Sequence, residues 1–147
     1  MIDEKDEMIL EELKKDSRQS TADISRHTKI PRVTVHERIK RLKEKGIIKR
    51  FTIQPDHSKL DGPTTAFVLV SYSPHHNTHQ REVAQKIAKL PGVYEVHLIA
   101  GEWDLLLKVR GRSIEDIGKL ILDKMREIPG VEKTFTMASF GMVKEEI

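Results

Sequence analysis

Two runs, Leu90-Pro91-Gly92-Val93 and Ile128-Pro129-Gly130-Val131, recur 38 residues apart, and each closes a helical apolar pattern and opens a strand-like one. Proline does not continue a helix and glycine accepts the backbone turn that follows, so the pair marks the same helix-to-strand corner twice. Two copies are too few for a solenoid, which needs at least about three repeats to close a continuous core. A twofold repeat of strand, helix and strand remains.

The pattern between the corners fills in that repeat. Residues 65–72 read as a strand, and a helix capped near Asn77 or Thr78 turns Val83, Ala84, Ile87 and Leu90 inward. A second strand covers 93–99, Gly101 and Glu102 turn the chain, and a third covers 103–109. Ser113, with Asp116 three residues on, caps a helix that buries Ile117, Leu120, Ile121, Met125 and Ile128, and a last strand runs over 131–140. The order βαββαβ predicts an α+β, ferredoxin-like (ACT-like) domain: an antiparallel four-stranded sheet with both helices on one face. Its first strand is apolar on both sides, with Ala66, Val68 and Val70 on one and Phe67 and Leu69 on the other. One side meets the helices, which leaves the other for a second subunit.

The first third differs in both period and charge. Residues 1–25 carry 4 basic and 8 acidic side chains, residues 26–50 carry 10 and 2, and residues 51–147 carry 12 and 13. A surplus of eight positive charges confined to one window predicts a polyanion contact there. Asp3 caps a first helix with Ile9, Leu10 and Leu13 along one stripe. Ser20 or Thr21 caps a short second helix with Ala22 and Ile24 inward, and 27–29 is a turn. Pro31 suits the first turn of a third helix, which ends near Gly46 and buries Val35, Ile39 and Leu42. Helix, short helix, turn and basic amphipathic helix make a helix-turn-helix whose last helix enters the major groove. Residues 47–53 read as a strand, either a wing or the lead into a linker. The expected division is a winged helix-turn-helix over 1–50, a strand and linker over 51–63, and the βαββαβ domain over 64–147.

On this reading Arg32, Thr34, His36 and Lys40 reach base edges, and Val33 suits a thymine methyl group. Arg38, Arg41, Lys43 and Lys49 contact phosphates, with Arg38 also close enough to the buried face to pair with an acid of the first helix. The expected partner is double-stranded DNA, read by two copies of the chain.

Other chemistries are poorly represented. There is no cysteine, hence no disulfide or thiolate metal site. No glycine-rich phosphate loop or nucleophile motif is present, so neither an enzyme nor a cofactor is expected. His75, His76 and His79 gather in one loop, which reads as a solvated loop before a helix rather than as a metal site. The absence of a long apolar run and of a signal-like start predicts a soluble cytoplasmic protein with no membrane contact.

In order and spacing the chain resembles the Lrp/AsnC family of regulators, in an archaeal-like form. The marks are Asp3, Asp6, Ile9-Leu10 and Leu13; Asp16-Ser17-Arg18-Gln19-Ser20; Thr34-Val35, Arg38-Ile39 and Arg41-Leu42; Gly46-Ile47-Ile48; both Pro-Gly-Val corners; and Gly101-Glu102-Trp103-Asp104. Pro31, Ser25 and Ala100 depart from the residues usual there. The resemblance implies an amino acid or related metabolite as effector of a regulatory (RAM) domain, and a homodimer that assembles to a tetramer or octamer. It places the effector at Gly101, Glu102, Trp103 and Asp104, with Thr134 and Thr136 as further candidates. Asp104 either takes an ammonium group or braces the turn, and Glu102 beside it suits a basic amino acid. The alternatives are an effector-independent architectural DNA-binding protein and an amino-acid-binding metabolic subunit.

Overall fold

The computed structural model describes residues 1–146, with His76 described by its backbone alone. It divides into two compact units, Met1–Pro55 with Glu146, and Asp56–Glu145.

The first unit holds helices α1 (Glu4–Lys15), α2 (Thr21–Thr28) and α3 (Arg32–Glu44). Two of them start with reciprocal capping boxes, Asp3 with Asp6 and Ser20 with Asp23, which satisfy amide groups a helix start leaves open. Lys29 takes a left-handed conformation (φ 62°) and ends α2. Thr28 is buried there and ties the turn, its hydroxyl donating to the Ile24 carbonyl at 2.7 Å. Pro31 sits at the cap position of α3 rather than inside its first turn, and it supplies no side-chain cap. The core is small: Ile9, Ile24, Ile30 and Val35 are buried, with Leu13 and Ile39 packed against them.

The strand expected over 47–53 does not form. β-favouring residues alone make no strand, because its amide and carbonyl groups need a neighbouring strand to pair with. No such neighbour lies beside this segment among the described residues. It passes the end of α1 and leaves a groove of about 560 Å³ between Leu10, Leu13, Ile48 and Phe51.

The second unit holds β1 (Thr64–Tyr72), α4 (Gln80–Ala88), β2 (Val93–Leu98), β3 (Leu105–Gly111), α5 (Ile114–Lys119) and β4 (Val131–Ala138). Its sheet is antiparallel in the order β2-β3-β1-β4. This is the ferredoxin-like order that the repeat predicts. Ala66, Val68, Val70, Leu105, Leu107 and Val109 line one face and pack under Val83 and Ile87 of α4 and Ile117 of α5. Ser113 caps α5, accepting from the Asp116 amide at 3.2 Å. The helix then widens into a π-helical stretch, Leu120–Met125, which still buries Leu120, Ile121 and Met125.

The cap of α4 differs from expectation. Asn77 adopts a left-handed conformation that closes a 3-10 turn, Pro74–His76, and His79 precedes the helix without capping it. On the other face of the sheet, Leu106, Leu69 and Phe135 stand side by side across three strands. Lys108, Phe67 and Met137 form the next row. Phe67, Phe135 and Met137 are exposed, so the β1–β4 part of this face is apolar and open within one chain, while Lys108 beside it is paired with Glu95 and Glu145.

Candidate nucleic-acid interface and ligand turn

The basic window resolves into two faces of α3. Burial of Val35 and Leu42 turns Val33, His36 and Lys40 outward, and Val33 is 75% exposed. Among the described residues His36 and Lys40 have no hydrogen-bond or ion-pair partner within the unit. Arg32 is exposed but anchored, its Nε donating to the Thr21 hydroxyl at 3.1 Å. Thr34 is half-buried beside them. The surface left for a base edge is therefore short, one aliphatic and two cationic or polar tips on successive turns.

Arg38 and Arg41 lie on a different flank and face α1. Asp6 is buried and accepts from Arg38 Nη1 at 2.9 Å and from Arg41 Nη2 at 3.0 and 2.8 Å. Asp3 also accepts from Arg38. Burial pushes the Asp6 carboxyl up, but hydrogen bonds from Arg38 and the Asp3 amide, with the charge of Arg41, outweigh it and hold the group below its ordinary value. The Arg38 hydrogen bond, with that of the Asp6 amide, lowers Asp3 to about 2. Arg38 thus takes the structural role open to it, paired with two acids. Lys43 is exposed, with its ammonium 5.7 Å from the centre of the Phe51 ring, and Lys49 is exposed on the unpaired segment. Asp6 and Thr21, which position three of these side chains, are not visible as interface residues in the sequence. Their partners are distant in the chain, and only the capping pattern at Asp3 and Ser20 marks the neighbourhood.

In the second unit Gly101 and Glu102 are exposed at the turn between β2 and β3. A Cβ built at Gly101 meets nothing within 4 Å, so the backbone is open to an incoming group. Trp103 leans on Phe135, ring centres 6.2 Å apart. Asp104 is committed: its carboxylate accepts from the Tyr72 amide at 2.7 Å, where the β1–β4 register shifts. Its own amide donates to the Val70 carbonyl at 3.0 Å, and its carbonyl accepts from Gln80 Nε2 at 3.0 Å. Of the two roles open to Asp104, the structure supports the brace.

Thr134 and Thr136 do not join this turn. They pair in register with Val70 and Val68, on the helix side of the sheet, whereas Phe135 and its neighbour Trp103 belong to the open side. Thr134 instead accepts from Arg126 Nε and Nη2 at 3.2 and 3.1 Å. The His75, His76 and His79 loop includes the His76 side chain, which lies outside the described residues. Among the described residues no three His, Asp or Glu side chains converge as a metal site, and no helix is long and apolar enough to cross a membrane.

Against known proteins, the model of the Lrp/AsnC ligand binding domain matches residues 65–147, and that of a winged helix-turn-helix DNA-binding domain matches residues 2–49. The chain belongs to the Lrp/AsnC family. An HTH-type transcriptional regulator of Pyrococcus furiosus is 56% identical over 147 residues, covering 100% of this chain and 98% of that protein. The solved structure of LrpC from B. subtilis superposes with a TM-score of 0.85 at 29% identity, covering 99% of each chain. A regulator from Neisseria meningitidis, solved as a complex with L-Met, gives 0.89 at 22% identity over 99% of this chain and 94% of that one, a likeness of fold. This Lrp/AsnC chain is accordingly a DNA-binding transcriptional regulator with a ligand-binding type of second domain.

Proposed function

We propose that this Lrp/AsnC chain reads specific DNA sequences as a homodimer or a multiple of dimers, and that an amino acid or related metabolite modulates the binding. The observation that carries the first part is the ridge of Val33, His36 and Lys40, exposed on α3 within the one strongly basic window of the chain. An aliphatic tip suits a thymine methyl, and polar tips suit purine acceptors in the major groove. Lys43 and Lys49 supply phosphate contacts, which fix register without carrying sequence information.

The uncovered rows of Phe67, Leu69, Phe135 and Met137 support pairing through the sheet. Two copies related by a twofold axis present two copies of α3, so a short and weakly discriminating ridge is read twice. The open backbone at Gly101, the exposed Glu102 and the aromatic wall of Trp103 support an effector at this turn. Glu102, rather than the committed Asp104, is the carboxylate available for an ammonium group.

Titration of the full chain with each of the twenty amino acids, followed by melting temperature and by affinity for a bound duplex, tests this reading. At least one amino acid is expected to raise the melting temperature and change DNA affinity, and substitution of Glu102 by Gln is expected to weaken both responses. No shift with any of them would remove the effector. Broad footprints without a preferred palindrome would make the protein architectural rather than specific.

A further inference from the structure

We propose that Asp6 is a positioning residue for DNA binding, holding the Arg41 guanidinium oriented toward a phosphate. The inference rests on the reading of α3 as the DNA-contacting helix. A buried carboxylate beside a polyanion surface calls for a reason, since its charge alone opposes binding. Asp6 is 1% exposed, the Arg38 side chain 18% and the Arg41 side chain 43%. The two arginines share the carboxylate unequally. Arg38 is also held by Asp3 and is withdrawn between two acids. Among the described residues Arg41 reaches Asp6 through Nη2, and no hydrogen bond from its Nε or Nη1 stands beside it.

A guanidinium is planar and its donors are rigidly related, so holding Nη2 on both carboxylate oxygens narrows the directions open to the other two nitrogens. A flexible arginine would lose rotamer freedom on meeting DNA. Here that loss is already incurred in the folded protein. The Asp3 amide, donating to the second Asp6 oxygen at 3.2 Å, keeps the carboxylate itself from rotating.

Charge and orientation predict opposite signs, and this makes the inference testable. If Asp6 merely offsets positive charge, Asp6→Asn raises DNA affinity. If it positions Arg41, Asp6→Asn lowers affinity about tenfold and flattens the dependence of log K on log salt by about one unit per lost phosphate contact. The measurement is fluorescence anisotropy of a labelled duplex with full-length wild type, Asp6→Asn, Arg41→Ala, the double variant and Asp3→Asn, at several salt concentrations. Asparagine also caps helices, so Asp3→Asn removes a charge from the same site while leaving α1 and Arg41 in place, and it is expected to leave affinity equal or raised.

Arg41→Ala is expected to weaken binding as much as Asp6→Asn, and the double variant no further. A gain of affinity in Asp6→Asn, or full additivity with Arg41→Ala, overturns the inference. An Arg41→Ala variant that binds like wild type would instead remove Arg41 from the DNA interface. Should Asp6→Asn melt below the assay temperature, Arg41→Lys decides, because it keeps the charge and loses the planar fork. It is expected to bind severalfold more weakly, and wild-type affinity would overturn the proposal.

Discussion

Gly130→Ala tests the structural meaning of the repeated corner. Gly130 has φ +98°, a conformation that costs a residue with a Cβ about 1–2 kcal/mol. The added carbon would stand 2.7 Å from the Thr78 hydroxyl and 2.7 Å from Cγ2 of Val83. Val83 is fully buried in the core and the Thr78 hydroxyl is buried beside it, so neither side chain has room to withdraw. Forcing one methyl into such a place adds about 1–3 kcal/mol, for a total of about 2–5 kcal/mol.

Gly92, the matching position of the other corner, has φ +91° but looser surroundings, with the Arg110 carbonyl oxygen at 3.0 Å and Cδ2 of Leu120 at 3.3 Å. Gly92→Ala is therefore expected to cost less, mostly the backbone strain. Trp103 is the only tryptophan and lies in the second unit, so its fluorescence during urea or thermal unfolding of the full chain follows that unit. Gly130→Ala should lower its melting temperature by at least about 8 °C. A Gly130→Ala midpoint equal to wild type, or a greater loss in Gly92→Ala, would refute the reasoning.

Acid should weaken the first unit through Asp3 and Asp6. Both carboxyls are held below their ordinary 3.8 in the folded state, Asp3 at about 2, so their stabilisation is complete above about pH 4 and is lost as pH falls toward 2. An acid titration followed by circular dichroism should show a shallower loss in Asp3→Asn over that interval than in wild type. Asp104→Ala should destabilise the second unit by about 1–3 kcal/mol by stranding the Tyr72 amide, with no effector present, as read by Trp103 fluorescence. Phe135→Glu places a charge among the exposed apolar side chains of the sheet face, on its edge strand β4, and is expected to lower the assembly size in analytical ultracentrifugation without unfolding the chain.

Local chemistry was readable from the sequence. The caps at Asp3, Ser20 and Ser113, the buried stripe of Ala66, Val68 and Val70, and both Pro-Gly-Val corners depend on residues within a few positions of one another. What escaped depends on distance. That Arg38 pairs with an acid of the first helix is legible, but not that Arg41 shares Asp6 with it across 35 residues, and Thr134 meets Arg126 only after β4 has folded beside the helix. The 47–53 segment has the isoleucines, phenylalanine and threonine that favour a strand, but among the described residues no strand pairs with it, and composition carries no record of a partner. Asn77 was legible as a residue of helix starts, yet asparagine also tolerates the left-handed conformation it takes here. Nothing local to 120–125 accounts for its π-helical winding.

The central claim, that the exposed ridge of α3 reads base sequence while its flanks hold phosphate, is tested most directly by selecting bound duplexes from random DNA. Wild type, Lys40→Ala and Lys43→Ala are compared. Wild type is expected to enrich two half-sites in twofold relation, about 10 base pairs or a multiple of that apart. Lys40→Ala should change the enriched bases. Lys43→Ala should enrich the same sequence with weaker binding throughout and a flatter salt dependence. Enrichment of no sequence by wild type, or a changed sequence in Lys43→Ala with an unchanged one in Lys40→Ala, would contradict it.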